Sequence, residues 1–261
     1  TLNGAEGDTR EAMEATLALQ GLTPEEINYS YRQLLDLLPT LDPAVSISVA
    51  NSIWSRLGYP VQQEFTDVNT MFFDAEVREL DFDKPDAADI INAWVNAKTN
   101  GKIEEIVDSP IPGYVIMYLI NAVYFKASWT TEFDEDKTVA WDFFPFNGPA
   151  ESVQMMNLKD SLPFYENNAF RAVDLTYGNG AYAMTLMLPK ATGEEALNAT
   201  IEGLTPAAWD EMTASFTEQK VALGLPRFTL RYEKDLNDIL AALGMGIAFD
   251  AGRADFGGIN P

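Results

Sequence analysis

The amino-acid sequence predicts an α+β fold in a single domain spanning residues 1–261. Strong helix-start signals occupy the first part of the chain, and strand and helix patterns then mix without the regular strand-helix-strand alternation of a parallel α/β fold. Hydrophobic residues make up 47% and charged residues 22% of the 261 residues, a normal balance for a protein with a sizeable core. No internal repeat, low-complexity segment or linker divides the chain, so one domain is predicted.

The predicted helices are marked by their first and last residues. Thr23 precedes Pro24 and is followed three positions later by Glu26, which is the pattern of a capping box with proline in the first helical position. A second helix is predicted over Asp86–Lys98, where apolar residues recur at helical spacing before the stop signal Asn100-Gly101. Further helices are predicted after Thr205-Pro206 and over residues 236–243, where Gly244 ends the pattern.

Two strand patterns carry most of the fold prediction. Residues Ser46–Ile53 alternate between polar and mainly apolar side chains, which predicts a strand with one buried face. Val115–Phe125 is apolar on both faces apart from Asn121, which predicts a central strand covered on both sides. Further strands are predicted over Tyr182–Leu188 and Val221–Leu230, with a hairpin turn at residues 177–181 and an edge or bulge position at Pro226.

The composition excludes several classes of function. The 40 acidic residues outnumber the 17 basic ones and give a net charge of −23, which opposes binding to nucleic acid phosphates and to anionic membranes. The chain has no histidine and no cysteine, so it holds no Ser-His-Asp or Cys-His triad, no HExxH zinc site and no disulfide. The longest apolar run, Val115–Phe125, is about half as long as a membrane-spanning helix, which needs ~20 residues. We therefore predict no nucleic acid or membrane partner, no metal and no cofactor.

Carboxylates are the only plentiful reactive side chains. They are densest at residues 81–89 and 132–136, but the first group lacks the glycine and the spacing of a calcium-binding loop. A glycosidase-like pair of carboxylates stays open as an alternative, although nothing in the sequence singles out two of the 40 acids. A solvated acidic surface is the simpler interpretation of both groups.

Asn121 is the most informative polar residue, because it interrupts the apolar run of a predicted central strand. A buried amide is costly unless its hydrogen bonds are made. Two interpretations stay open: a core amide whose hydrogen bonds are satisfied, or an amide that fixes the register of a sheet that must later open. Trp129, further along the chain, is by default a core aromatic residue.

A resemblance to a known family adds to this interpretation. The segment Asn121-Ala122-Val123-Tyr124-Phe125-Lys126-Ala127-Ser128-Trp129 resembles the signature of the serpins, the serine-protease inhibitors that act as suicide substrates. Residues 96–103 resemble the end of the serpin helix that lies across the large sheet A. Further resemblances follow in the same order at residues 174–177, 183–189, 225–228 and 243–256. The resemblance is collinear over nearly the whole chain.

The resemblance implies a serpin-like α+β fold with mixed β-sheets A, B and C and surrounding helices, incomplete at both termini. The early helices, the reactive loop and the C-terminal strands are expected outside this sequence, and the scissile bond of the loop is expected beyond Pro261. By the same resemblance Asn121 belongs to the shutter region, where sheet A opens, and Trp129 to the breach region, where the loop enters. Residues 64–109 then cover the strand and helix that shift during insertion.

The implied function is inhibition of a target protease, and the chain is not expected to be an enzyme. In this family a serine protease, or alternatively a cysteine protease, cleaves the reactive loop, which then inserts into sheet A as an added strand. The full-length protein is expected to be a monomer in an extracellular or periplasmic location. Two alternatives stay open: a non-inhibitory serpin with a binding or structural role, and an unrelated carboxylate-dependent hydrolase.

Overall fold

The computed structural model describes residues 1–145 and 148–260, so Pro261 lies outside the described residues. The chain forms two compact units. The first contains residues 1–41, 46–126 and the C-terminal part from Tyr232 onward, and the second contains residues 42–45 and 127–231. Helices and mixed sheets are both present, so the predicted α+β class is confirmed, whereas the single-domain organisation stays a prediction.

The α-helices of the described residues are α1 (Gly7–Thr16), α2 (Pro24–Leu37), α3 (Gln63–Phe73), α4 (Ala87–Lys98), α5 (Glu194–Glu202), α6 (Pro206–Ala214) and α7 (Asn237–Leu240). Four of them, α2, α4, α6 and α7, begin within one residue of a predicted start. Thr23 Oγ1 accepts a hydrogen bond from Glu26 N at 3.2 Å, and the Glu26 carboxylate accepts one from Thr23 N at 2.8 Å, so the capping box is confirmed. Thr205 caps α6 by accepting from Ala208 N.

The last predicted helix is shorter than its pattern suggests. The α-helix α7 ends at Leu240, and the chain continues as a π-helical turn over Ala241–Met245. Gly244 lies inside this turn with a φ of 117°, a left-handed conformation that favours glycine. The predicted stop at Gly244 is therefore correct, but the helical geometry changes before the stop is reached.

The strands of the described residues form two sheets. They are β1 (Ser46–Arg56), β2 (Glu76–Leu80), β3 (Met117–Lys126), β4 (Val139–Phe143), β5 (Glu151–Glu166), β6 (Phe170–Tyr177), β7 (Tyr182–Pro189) and β8 (Thr217–Pro226). In the first unit the order is β2-β1-β3, with β1 parallel to β2 and antiparallel to β3. In the second unit all pairings are antiparallel, and the long strand β5 pairs with β4, β8 and β6 along successive stretches. The five strands of the second unit thus form one sheet.

The predicted central strand β3 is covered on one face only. Among the described residues β3 pairs with β1 alone, so it is an edge strand of this sheet. Ile120 and Ala122 are buried, whereas Leu119, Val123 and Phe125 on the alternate face are exposed. The prediction of cover on both faces is wrong, because α4 packs against one face and apolar content alone does not say which face receives a helix.

The strand β1 is longer and more buried than predicted. The alternation holds at its start, where Ser46 and Ser48 are exposed and Ile47 is half-buried. From Ser52 to Ser55 every residue is buried. This half of β1 lies between β2 and β3 and packs against α4 on one face and α3 on the other, so both faces are covered.

The predicted strand over Val221–Leu230 is shifted towards the N-terminus. β8 begins at Thr217 and ends at Pro226, and residues 227–230 lie beyond the strand. Within the described residues β8 pairs only with β5, so Pro226 lies at the end of an edge strand, as predicted.

Candidate functional site

Asn121 forms an amide relay that links three elements of the first unit. It lies on β3 opposite Asn51 of β1. Its Nδ2 atom donates a hydrogen bond to Asn51 Oδ1 at 2.8 Å, and Asn51 Nδ2 donates in turn to the carbonyl oxygen of Phe73, the last residue of α3, at 2.7 Å. Asn121 is exposed, which corrects the expectation of an amide inside a doubly covered strand. Its role in the shutter region stays a prediction.

The amide relay borders an apolar cavity of about 460 Å³. The apolar wall comes from α2, α3, the turn after α1, and the strands β1 and β3, and includes Leu17, Ile27, Tyr31, Phe73 and Leu119. Because side chains alternate along a strand, Leu119 and Asn121 face this cavity while Ala122 faces the opposite side of the sheet. One face of β3 is therefore open beside Asn121.

Four further asparagines line the same cavity, Asn3, Asn28, Asn51 and Asn69, and sequence analysis does not identify them as site residues. The sequence could have pointed to Asn51, because the alternation of β1 places this polar residue on the mainly apolar face of the strand. Asn28 is 5% exposed and accepts a hydrogen bond from Asn3 Nδ2 at 2.9 Å. Asn69 donates to the carbonyl oxygen of Phe65, one turn earlier in α3. The helical patterns around Asn28 and Asn69 contain no sign of this clustering.

The opposite face of the sheet is covered by α4 and by residues 99–116, which we call the strap. Trp54 of β1 and Ile120 of β3 belong to a buried cluster with Ile91 of α4 and Val107 of the strap. The strap contains no helix or strand, and irregular segments of this length are uncommon unless they are functional. The same strand β3 thus has one exposed face and one face covered by α4 and the strap.

Two buried polar side chains of α4 and its C-terminal cap hold the first part of the strap. Asn92 Oδ1 accepts hydrogen bonds from Ile106 N and Val107 N, both at 3.0 Å, and Asn92 Nδ2 donates to the carbonyl oxygen of Val107 at 2.8 Å. Thr99 Oγ1 accepts from Ile103 N at 3.0 Å. These backbone groups of Ile103, Ile106 and Val107 are therefore satisfied by side chains.

Arg56 holds the second part of the strap. Its Nε atom donates to the carbonyl oxygen of Val115 at 3.0 Å, and a second nitrogen donates to that of Pro112 at 3.2 Å. The same guanidinium pairs with Asp83 at 2.7 Å and lies over the ring of Phe82, 5.2 Å from its centroid. One side chain at the end of β1 thereby joins the strap to the segment that precedes α4.

Glu76 of β2 ties down the C-terminal end of α4. Its carboxylate pairs with Lys98 at 2.7 Å and with Arg78 at 2.8 Å. Lys98 also lies 5.5 Å from the ring centroid of Trp94, and Arg78 lies 5.3 Å from that of Trp54. The hydrogen bond from Lys98 lowers the pKa of Glu76 from 4.5 to about 2, and Arg78 acts in the same direction.

Replacing Glu76 by glutamine removes both ion pairs and is expected to lower the free energy of unfolding by about 1 to 2 kcal/mol at neutral pH. The loss is limited because the carboxylate is a third exposed and solvent screens the pairs. The folded pKa is depressed, so the contribution is complete above the unfolded pKa of 4.5 and is lost as the pH falls towards about 2. Urea denaturation of both proteins between neutral and acidic pH measures this difference. The control Glu79→Gln, on the same strand, should show a small difference. A difference for Glu76→Gln that grows as the pH falls contradicts the prediction.

Trp129 lies in the second unit at the margin of its core. Its indole stacks on the ring of Tyr177, with 4.2 Å between centroids and 17° between the planes, and the two residues also form an antiparallel bridge. Burial raises the pKa of the Tyr177 phenol. Trp129 packs against the buried residues Leu158, Leu162, Val173, Leu175 and Leu225. It is therefore a partly buried core aromatic residue, and its role in the breach region stays a prediction.

The predicted hairpin turn between β6 and β7 is confirmed, and a buried carboxylate holds it. Gly178 and Gly180 have φ values of 51° and 98°, which favour glycine. Asp42, which is 1% exposed, accepts hydrogen bonds from Asn179 N at 2.6 Å, from Asn179 Nδ2 at 3.1 Å and from Ala44 N at 2.9 Å. A side chain added at Gly178 would come within 2.5 Å of an Asp42 oxygen. Nothing in the sequence around Asp42 indicates this contact.

Each of the two acidic groups at residues 81–89 and 132–136 contains a carboxylate that pairs with a basic side chain. Asp83 pairs with Arg56, and Asp134 pairs with Lys137 at 2.9 Å. The hydrogen bond from Lys137 holds the pKa of Asp134 below its ordinary value.

Throughout residues 1–145 and 148–260, no group of three acidic side chains is arranged to hold a metal ion. In the same residues, every helix is too short or too polar to cross a bilayer.

Comparison with known proteins decides the family. The profile of the serpins, described as serine protease inhibitors, matches residues 1–261. The chain belongs to the serpin family. It is similar to Serpin B12 of Homo sapiens, with 33% identity over 241 residues that cover 88% of this chain and 59% of that protein. It is also similar to Iripin-8 of Ixodes ricinus, with 33% identity over 269 residues that cover 98% of this chain and 65% of that protein.

The solved structures support the same family and fold. The thermophilic serpin tengpin in its latent state matches with a TM-score of 0.91 and 28% identity, over 100% of this chain and 69% of that one. The serpin-like fold expected from the sequence is thus confirmed. The chain spans 59% of the length of Serpin B12 and 65% of that of Iripin-8. Most members of the serpin family inhibit proteases and are not catalysts.

Proposed function

We propose that this serpin chain is the central part of a suicide-substrate inhibitor of a serine protease, or alternatively of a cysteine protease. The observation that carries the proposal is the edge of β3. Within the described residues β3 pairs with β1 alone, so the backbone groups of its other edge have no strand partner. Such an edge accepts an added strand, and in the proposed mechanism that strand is the cleaved reactive loop.

The amide relay supports insertion at this edge. Asn121 and Asn51 join β3 to β1 by a side-chain hydrogen bond in addition to the backbone ladder. Because a slip of one residue would turn every side chain of a strand to the other face, a fixed register keeps β3 in place while a new strand pairs with its free edge. We propose that this is the role of Asn121 in the shutter region.

The strap and α4 supply the movable cover in this proposal. They lie on the face of β3 that contains Ile120 and Ala122, and an added strand must fit beneath them. Side chains of Asn92, Thr99 and Arg56 hydrogen-bond the strap, and these bonds must break when it lifts. We propose that residues 64–109 shift during insertion and that Trp129 lies where the loop first enters.

The test uses the full-length protein that contains this chain. We expect it to form an SDS-stable covalent complex with at least one trypsin-, chymotrypsin- or subtilisin-like protease, because the acylated protease is trapped when the loop inserts. Asn121→Ala should lower the ratio of complex to cleaved inhibitor, whereas Asn96→Ala on α4 should leave that ratio unchanged. Denaturing gels and intact mass measure both quantities.

Three outcomes would contradict this proposal. Clean cleavage without complex by every protease favours the non-inhibitory alternative, a serpin with a binding or structural role. An unchanged melting temperature after loop cleavage contradicts insertion, because an added strand stabilises the sheet. Glycoside hydrolysis by the purified protein would support the carboxylate-dependent hydrolase.

The proposal extends to partners and location. The net charge of −23 favours a protease with a basic surface, and salt should slow their association. We propose that the full-length inhibitor is a monomer in an extracellular or periplasmic location. Size-exclusion chromatography and fractionation of the source cells test these two points.

A further inference from the structure

Four Asn-Gly pairs occur in the chain, at residues 3–4, 100–101, 147–148 and 179–180. An asparagine followed by glycine is chemically labile, because glycine has no Cβ and its backbone nitrogen can approach the preceding side-chain carbonyl carbon. The folded structure decides which of these pairs can reach that geometry. The contrast between Asn100 and Asn179 is the clearest.

Asn179 is restrained at every group that the reaction must move. Its Nδ2 atom donates to Asp42 Oδ1 at 3.1 Å, and its backbone N donates to Asp42 Oδ2 at 2.6 Å. The attacking nitrogen, that of Gly180, donates to the carbonyl oxygen of Tyr177 at 2.8 Å. Asp42 itself is buried, so the side-chain amide of Asn179 is held by a fixed acceptor.

Asn100 lacks a comparable restraint. It follows the C-terminal end of α4 with a φ of 50°, and its side chain is exposed. No side chain or backbone group of the described residues hydrogen-bonds its amide. The nitrogen of Gly101 donates to the carbonyl oxygen of Asn96 at 2.8 Å and that of Asn100 to Ala97 at 3.3 Å, so the backbone here is bonded to the end of a helix, where helices fray, while the side chain is not held.

The other two pairs do not alter the comparison. Asn3 is partly buried, and its Nδ2 atom donates to Asn28 Oδ1 at 2.9 Å. Asn147 lies outside the described residues.

We propose that Asn100 is a site of spontaneous deamidation in the folded protein and that Asp42 protects Asn179 from the same reaction. The nitrogen of Gly101 bonds to the side-chain carbonyl carbon of Asn100, the bond from that carbon to Nδ2 breaks, and ammonia leaves with the proton that the backbone nitrogen loses. Water then opens the succinimide ring to give aspartate or isoaspartate. No oxidant or reductant takes part.

The modification places a negative charge where the helix carries its own negative end. The last carbonyl groups of α4 disfavour a carboxylate at this position. Thr99, the immediate neighbour of Asn100, anchors the strap through Ile103. Deamidation of Asn100 therefore weakens the joint between α4 and the strap, and it does so whether or not the protein inhibits a protease.

The experiment is to age the purified protein at mildly alkaline pH and to follow each Asn-Gly peptide by mass spectrometry. Asn100 should convert at least about tenfold faster than Asn179, because conversion of Asn179 requires local opening of the hairpin. The Asp42→Ala variant should accelerate conversion at Asn179 and leave the rate at Asn100 unchanged. Comparable rates at the two sites in the native protein, or an amide at Asn100 that outlasts the one at Asn179, would overturn the proposal.

A second measurement does not depend on the folding of the variant. In guanidinium chloride at a denaturing concentration, the rates at Asn100 and Asn179 should converge, because both lie in the same Asn-Gly sequence context. Denaturation should accelerate Asn179 much more than Asn100. Equal acceleration of the two sites would show that Asp42 gives no selective protection.

Discussion

Replacing Asp42 by alanine is expected to lower the free energy of unfolding by about 3 kcal/mol. Asp42 is 1% exposed, and its carboxylate is the acceptor for Ala44 N, Asn179 N and Asn179 Nδ2. Without it two backbone N–H groups lose their acceptor in partly buried hydrogen bonds. Each buried hydrogen-bond donor that is left unpaired lowers the free energy of unfolding by roughly 1 to 3 kcal/mol.

Urea denaturation, with hydrogen exchange at the amide of Asn179, measures this effect. Asp42→Asn keeps one carbonyl oxygen and should lose less stability than Asp42→Ala. The matched control is Asp36→Ala, since Asp36 is 60% exposed and pairs with Arg32 on the surface of α2. That control should change the free energy of unfolding by less than about 1 kcal/mol. A loss at Asp42 no larger than at Asp36, with protection of the Asn179 amide retained, contradicts the prediction.

Replacing Asn92 by alanine is also expected to lower the free energy of unfolding by about 3 kcal/mol. The change removes three hydrogen bonds between α4 and the strap. The nitrogen and the carbonyl oxygen of Val107 are left without these partners beside a buried cluster that contains Trp54 and Ile91. Because the strap has no regular secondary structure, its backbone cannot recover those bonds within a helix or sheet.

Asn96→Ala is the matched control for Asn92, because it makes the same substitution one turn further along α4 at a less buried position. Limited proteolysis reports on the strap, and urea denaturation reports on the whole chain. We expect Asn92→Ala to open the strap to cleavage at urea concentrations at which Asn96→Ala and the parent chain resist. Equal resistance of the two variants would show that Asn92 does not hold the strap.

The parts of the fold that were predictable depend on local chemistry. Thr23, Pro24 and Glu26 are neighbours in the chain, and their capping box forms as the sequence predicts. The same holds for the cap at Thr205 and for the glycines of the turn between β6 and β7. In each case the interacting groups are a few residues apart, so the pattern alone contains the contact.

The candidate site was predictable only in part, for the opposite reason. Asn121 is conspicuous as a polar residue in an apolar run, and the serpin resemblance names it, but its partner Asn51 is 70 positions away. Asp42 meets Asn179 across 137 positions. Ordinary loop sequence surrounds Asp42, so a buried acceptor there has no local signal.

By itself the sequence determined the α+β class, the ends of the main helices, the absence of histidine and cysteine chemistry, and the membership of the serpin family. Only the tertiary structure decided which face of β3 is covered, where β1 becomes buried on both faces, and which polar side chains hold the strap and the hairpin. The physical reason is how far apart along the chain the interacting groups lie. Propensity and capping act between neighbours along the chain, whereas burial and the pairing of buried polar groups depend on segments that meet only after the chain has folded.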